Sequence, residues 1–282
     1  MSRATERAPQ RSSRAGIVLC GGRSSRMGRP KARLPWFGRS MLEHVLDRLR
    51  PVVDELIVVA SAELELPPLD ARIVRDREPD RGPLAGIREG LAAARSDLAF
   101  VTSTDAPFLT PEHVSSLLER GRAAAQLAEG RVQVLSAVYP CTAWKQAAVL
   151  LERGVARPLA LLECLDYEPL ESPLDEAMPP WRGFNTPSEY LACARRVDPS
   201  ARAELELLGR AALASERRLS SWPIGTLCEL LAQAPTRLPL IEKGRVAPAF
   251  LASLGGRELV RDGSLPVGPG ERVSVIDAQA GG

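Results

Sequence analysis

Histidine is almost absent from this chain: among 282 residues, only His44 and His113 carry an imidazole. A mechanism that needs a histidine dyad, or a metal held by several imidazoles, is therefore nearly excluded. Cysteine is scarce too. Cys20, Cys141, Cys164, Cys193 and Cys228 are scattered, odd in number and form no C-x-x-C pair. That argues against a disulfide framework or a zinc site and fits reduced thiols in a cytoplasm, the expected location. No apolar run reaches the ~18 residues of a membrane span. Excess charge of one sign is lacking as well, with 37 Lys and Arg against 35 Asp and Glu, so bulk charge points neither to nucleic acid nor to a membrane. Residues 1–14 hold four arginines, several Ser and Thr and no apolar core, so a disordered arm is expected there rather than a signal peptide.

What remains is an ordinary globular composition, 45% hydrophobic and 26% charged, in a chain long enough for close to two domains. From residue 15 onward, strand and helix patterns alternate. Residues 15–20, 55–60 and 98–103 are mostly apolar and continuous rather than alternating, the mark of strands buried on both faces. Ser40 reads as the N-cap of a helix bearing Met41, Leu42, Val45, Leu46 and Leu49. Leu84, Ile87 and Leu91 mark a second helix, and Pro111 sits at the first position of a third. A strand over 132–138 and a helix opened by Thr186-Pro187 follow. This alternation predicts an α/β fold over residues 15–198, a Rossmann-like parallel sheet with helices on both faces. Past Asp198-Pro199-Ser200 the order becomes strand (204–208), strand (217–221), helix (226–234) and two more strands (250–254, 272–277). That is an α+β order, so a second, smaller domain is expected over 202–282.

The stretch richest in chemistry follows the first strand: Leu19-Cys20-Gly21-Gly22-Arg23-Ser24-Ser25-Arg26-Met27-Gly28-Arg29-Pro30-Lys31. A buried strand delivers it to the carboxyl edge of the sheet, where ligands bind in open α/β folds. Its glycines let backbone N–H groups approach an anion closely. Arg23, Arg26 and Lys31 add charge suited to a triphosphate. The spacing is neither G-x-x-x-x-G-K-[ST] nor G-x-G-x-x-G, so the usual ATPase and dinucleotide motifs do not apply. Farther on, Asp105 ends a buried strand just before Pro107. One carboxylate at a strand end, completed by substrate phosphates, suits Mg²⁺. Gly82-Pro83-Leu84-Ala85-Gly86 opens a helix and exposes its first N–H groups.

The glycine loop resembles the L-x-G-G-x-S-x-R-M-G-x-x-K signature of the molybdenum cofactor guanylyltransferases, the MobA family, which are similar to the wider sugar-phosphate nucleotidyltransferases. Paired Gly21-Gly22 separates it from the related cytidylyltransferases, which usually carry Ala-Ala-Gly there. The likeness covers roughly residues 14–197. It implies a Mg²⁺-dependent enzyme that moves GMP from GTP onto molybdopterin, releasing pyrophosphate and forming the guanine dinucleotide cofactor. It implies Lys31, Arg26 and Asp105 as catalytic groups, with Asp105 the metal ligand of the family's D-x-P. Leu19, Cys20, Gly21, Gly22, Lys31, Asp76, Gly82, Asp105 and Asn185 would contact nucleotide or cofactor. The family's N-x-N-T-P stands here as Gly183-Phe184-Asn185-Thr186-Pro187, in which Asn185 keeps the second asparagine and Gly183 replaces the first. The family's base-contacting position falls around Ala60-Ser61. Two other readings stay open. One is a cytidylyltransferase on the same pterin, which Gly21-Gly22 and G-P-L-A-G disfavour. The other is a non-catalytic cofactor-binding adaptor, to which Gly183 gives some weight.

After the last expected strand comes Asp277-Ala278-Gln279-Ala280-Gly281-Gly282. A glycine-ended tail is narrow, and six extended residues reach about 20 Å. The C-terminal segment is similar to the ubiquitin-like β-grasp sulfur carriers of the MoaD/ThiS type, such as the small subunit of molybdopterin synthase. Gly255-Gly256-Arg257-Glu258-Leu259, and Leu265 with Val267-Gly268-Pro269-Gly270-Glu271-Arg272-Val273, carry the likeness. Gly255 stands for the usual Asn, Gly270-Glu271 for Gly-Asp, and the customary Pro-Pro before the tail is missing. The resemblance implies Gly281 and Gly282 as a sulfur-carrying terminus, with an adenylating enzyme and the large subunit of a molybdopterin synthase as partners.

Overall fold

The computed structural model describes residues 12–21, 26–76, 81–171 and 177–278. Gly22, Arg23, Gly281, Gly282 and residues 1–11 of the expected arm lie outside the described residues. The arm does not extend to residue 14. Ser13 donates from its N–H and its hydroxyl to Asp97 Oδ2, both at 2.9 Å, and Arg14 opens the first strand.

Packing divides the chain into two units, each discontinuous: Met1–Gly22 with Val45–Gly183, and Arg23–His44 with Phe184–Gly282. This differs from the division by chain order expected near residue 198. The reason is where the apolar residues go. Met27, Leu34, Trp36 and Met41, and then Tyr190, Leu191 and Ala194, are buried in the core of the C-terminal sheet.

The first unit is built on seven strands: β1 (Arg14–Cys20), β2 (Glu55–Ser61), β3 (Arg72–Asp76), β4 (Leu98–Ser103), β5 (Ala124–Ala128), β6 (Arg131–Pro140) and β7 (Glu168–Glu171). Their order in the sheet is β3-β2-β1-β4-β6-β5-β7. β1 pairs in parallel with β2 and β4, as expected. The sheet is nevertheless mixed rather than parallel, because β6 runs antiparallel to both β4 and β5. The cause is local. Glu129 and Gly130 both take positive φ, 51° and 70°, the two-residue turn whose twist closes a hairpin. A strand delivered by such a turn must run against its predecessor.

Helices α1 (Met41–Leu49), α2 (Pro83–Ala93), α3 (Pro111–Leu118), α4 (Trp144–Glu152) and α5 (Pro158–Cys164) connect these strands. The strand period of two puts neighbours on opposite faces. Ile17 and Val101 face one way, into a core with Leu84, Ile87 and Leu91 of α2 and Leu161 and Leu162 of α5. Gly16 faces the other way, where a Cβ would sit 3.1 Å from Leu49 of α1. At Gly90 an added Cβ would lie 2.6 Å from Ile17 Cγ2, so glycine there lets α2 settle directly onto β1.

The second unit holds α6 (Pro187–Val197), β8 (Arg202–Leu207), α7 (Gly209–Leu213), β9 (Leu219–Pro223), α8 (Leu227–Ala232), β10 (Phe250–Leu254), β11 (Glu258–Val260) and β12 (Arg272–Asp277). Thr186 and Thr226 start α6 and α8 with full capping boxes closed by Glu189 and Glu229. The strands form one sheet in the order β9-β8-β12-β10-β11. β8 and β12, the first and last, are parallel at the centre, and the other pairs are antiparallel. Leu227, Leu230 and Leu231 of α8 share one core with Leu205, Leu207, Val273 and Val275 of the sheet.

Candidate active site

In the first unit, register decides what meets. Cys20 pairs with Ala60, Leu19 with Ser103, and Ser61 with Asp76. Gly21, Ser61, Asp76 and Asp105 therefore leave the sheet at one edge, the carboxyl ends of β1–β4. Thr104 N–H donates to the Leu19 carbonyl at 3.3 Å and ties the ends of β4 and β1 together. The side chains of Leu19 and Cys20 are themselves buried. Burial pushes the Cys20 thiol far up, so it stays protonated at neutral pH and is no nucleophile.

Asp105 is half-buried in the turn after β4. The Ser103 hydroxyl donates to its Oδ1 and sets its rotamer. Gly183 stands directly against it. A Cβ built there would lie 3.1 Å from Asp105 Cγ and 3.2 Å from Oδ2. The glycine that departs from N-x-N-T-P is thus fitted to this carboxylate, and an asparagine would crowd it. The segment leading to Gly183 rests on Trp181, which lies 5.7 Å from the His113 ring. His113 Nε2 is 2.7 Å from Ser136 Oγ, and burial lowers its pKa to about 4. The ring is a neutral, packed support. Asp76 is half-buried at the end of β3, and Gly82, at φ 80°, is the N-cap of α2. Gly86 of the G-P-L-A-G run lies against the sheet, its would-be Cβ 3.4 Å from Leu19, a packing role.

In the second unit the glycine loop continues from Arg26, which is exposed, to a short 3-10 turn at Lys31–Arg33. Lys31 Nζ donates to the Phe184 carbonyl at 2.6 Å and to Asn185 Oδ1 at 2.9 Å, and lies over the Phe184 ring. Asn185 N–H in turn donates to Glu189 Oε2 at 2.6 Å, inside the cap of α6. The lysine of the glycine loop and the asparagine of the N-T-P run, 154 residues apart, are therefore joined.

Among the described residues no cluster of three or more His, Cys, Asp or Glu could hold a metal by itself. A lone carboxylate completed by substrate phosphates is the donor set that Mg²⁺ accepts, and Asp105, with no side chain beside it at Gly183, fits that demand. A groove of about 540 Å³ at the opposite edge of the first sheet is lined by Arg50, Asp70, Arg72 and Arg95 among others. Within it Arg50 pairs with Asp70 at 2.5 Å, and Glu55 accepts the Arg95 backbone N–H at 2.7 Å.

Comparison with known proteins shows the family and the fold. Residues 16–166 match the family model described as "MobA-like NTP transferase domain". A Carboxydothermus hydrogenoformans protein named "Probable molybdenum cofactor guanylyltransferase" is 42% identical over 95 residues, 34% of this chain and 48% of its own length. A Mycobacterium avium protein of the same name is 34% identical over 168 residues, 56% of this chain and 85% of its own. The structure of "Molybdopterin-guanine dinucleotide biosynthesis protein A" from Archaeoglobus fulgidus superposes with a TM-score of 0.54 at 21% identity, over 66% of this chain and 99% of that one, a likeness of fold. The chain belongs to the MobA-like NTP transferase family. Its match spans about half the length of the first of these relatives and most of the second.

Sequence reasoning missed Ser103 and Arg29. Ser103 had a signal, a hydroxyl two residues before the strand-end carboxylate. Arg29 had none locally, because its partner lies 242 residues on, at Glu271.

Proposed function

We propose that this chain transfers a guanylyl group from GTP to the phosphate of molybdopterin. The observation that carries the reading is Asp105, held by Ser103 at the carboxyl edge of β4 with the Gly183 backbone packed against it. The names of the relatives support the substrates. The acceptor phosphate is already ionised at neutral pH, so no general base is needed. Its oxygen attacks the α-phosphorus in line, the bond to the bridging oxygen breaks, and pyrophosphate leaves with that electron pair. Mg²⁺, when bound at Asp105, supplies neutralisation of phosphate charge. Lys31 and Arg26 add positive charge toward the triphosphate and the leaving pyrophosphate, the Gly21 backbone donates to it, and Asp76 and Gly82 serve the base and ribose. We place the reaction in the cytoplasm, where the five free cysteines stay reduced.

The test is pyrophosphate release by the full chain with molybdopterin, Mg²⁺ and either GTP or CTP. Turnover of GTP that EDTA abolishes supports the reading. Preference for CTP would make it a cytidylyltransferase, and GTP binding without release would make it an adaptor.

A second reading concerns the C-terminal sheet, which we assign to the β-grasp class. It is supported by the order second-first-fifth-third-fourth, by the parallel central pair β8 and β12, and by α8 placed between the second and third strands. On this reading Gly281 and Gly282 carry sulfur after activation by an adenylating enzyme, for delivery to the large subunit of a molybdopterin synthase. Mass spectrometry after incubation with such an enzyme, ATP and a sulfur donor should show a gain of about 16 Da, oxygen replaced by sulfur, lost on deletion of Gly282. No gain in the full chain would reduce the sheet to a structural element.

A further inference from the structure

Arg29 sits two residues before Lys31 in the glycine loop, yet it does not offer its charge to a phosphate. Its side chain is 9% exposed, and it forms a fork with Glu271, Nη1 to Oε2 at 3.0 Å and Nη2 to Oε1 at 2.7 Å. Nη1 also donates to the Pro266 carbonyl at 3.1 Å. Glu271 is 6% exposed, and its Oε2 accepts the Gly268 N–H at 3.0 Å as well. One carboxylate thus fixes both the guanidinium and the 266–271 turn. The same turn grips the loop on either side of Arg29. Gly28, at φ +66°, packs so closely on Leu265 that a Cβ would lie 2.5 Å from Cδ2. Gly268 lies under the Tyr190 hydroxyl, which donates to the Pro35 carbonyl beyond the loop.

A buried ion pair is weak evidence for stability, since apolar residues of similar volume often serve as well or better. What a bidentate pair adds is direction, because both partners are planar and only one mutual orientation satisfies both bonds. Here the oriented object is a loop whose lysine ammonium is itself aimed through Phe184 and Asn185. We infer that Glu271 is a positioning residue for the phosphate-binding loop, acting through Arg29, so that the C-terminal sheet is a working part of the nucleotide machinery. This rests on the transferase reading above.

The test uses the full chain with Glu271→Gln, Arg29→Lys and the double variant. Each is checked for cooperative melting above the assay temperature, then measured for GTP affinity by calorimetry and for kcat and KM. Glu271→Gln presents an amide N–H₂ to a guanidinium, so the fork cannot close. We expect GTP Kd and KM to rise at least about tenfold in both single variants, with the double variant no worse than the weaker single, as two members of one unit require. A purely structural pair would lower Vmax through a smaller folded fraction and leave Kd and KM unchanged. If Glu271→Gln does not fold, Arg29→Lys, which keeps the charge, decides. GTP affinity within about twofold of the unsubstituted chain in the folded variants overturns this inference alone. An unsubstituted chain that binds no nucleotide overturns the transferase reading and this inference with it.

Discussion

The two sheets bury their side chains by different rules. In β1 every residue after Arg14 is buried, and in β4 every residue before Ser103 is. In β8 and β12 buried residues largely alternate with partly or fully exposed ones. The first sheet is clothed by helices on both faces, so its side chains are committed to packing and its chemistry is confined to the strand ends. The second keeps one face turned outward, where Arg272 pairs with Glu204 and Ser274 with Glu206. On the proposed function, the chemistry of the first unit belongs to its strand ends and that of the second to its loops.

The largest effect that follows from this contrast is at the edge. Asp105→Asn keeps the shape and removes the charge that would hold the metal. It should lower kcat at least about 1,000-fold, ~4 kcal/mol, with melting unchanged. Near-normal pyrophosphate release from this variant would mean that the catalytic charge lies elsewhere.

An alanine scan reads the contrast directly. Ile57 and Val58 are adjacent in β2 and both fully buried, so each substitution should cost about 2–4 kcal/mol in chemical denaturation. In β8, Leu205→Ala should cost as much, whereas its neighbour Glu206, on the outward face, should cost within about 0.5 kcal/mol. Equal costs at 205 and 206 would show that the outward face is covered in solution.

Much of this was legible in the sequence, and the physical reason is uniform. A mostly apolar run, as at 98–103, and a strict alternation, as at 272–277, each have few solutions, so both strands were placed to the residue, and 15–20 and 55–60 within one. Strand direction is not written in periodicity. The reversal of β6 resides in Glu129-Gly130 alone, which no hydrophobic count detects. Nor does chain order reveal that residues 26–44 are buried with a sheet more than 150 positions away. The positions of Asp105 at a strand end and of Lys31 at the end of the loop were readable, their roles being the proposal above. The fit of Gly183 to Asp105 was not, since a missing side chain leaves no pattern of its own.

The packed support beneath that edge gives a pH prediction. His113 has a folded-state pKa of about 4 against 6.5 in an unfolded chain. Between those values the unfolded state binds more protons, so stability is complete above pH 6.5 and is lost as the pH falls toward 4. The loss should be of order 1–3 kcal/mol, and His113→Gln, which carries no titrating ring, should flatten that part of the profile. A profile unchanged by the substitution would assign the acid sensitivity to carboxylates instead.

The smallest effect concerns Lys31, the residue of the second unit's loops to which the proposed function gives charge for the triphosphate. Two of its three ammonium donors are directed to the Phe184 carbonyl and Asn185 Oδ1. Such a lysine is held in place rather than left to solvent. Lys31→Ala removes that charge, while the hydrogen bonds of the α6 capping box between Thr186 and Glu189 remain. We expect kcat/KM for GTP to fall at least about tenfold, ~1.4 kcal/mol of lost transition-state stabilisation, with melting nearly unchanged. Lys31→Arg keeps the charge but replaces a compact ammonium by a planar fork that cannot meet both oxygens in the same geometry, so it should restore only part of the loss. If both variants turned over GTP normally, the lysine would be a structural tie between the glycine loop and α6, and the contrast between edge and loop chemistry would rest on Asp105 alone.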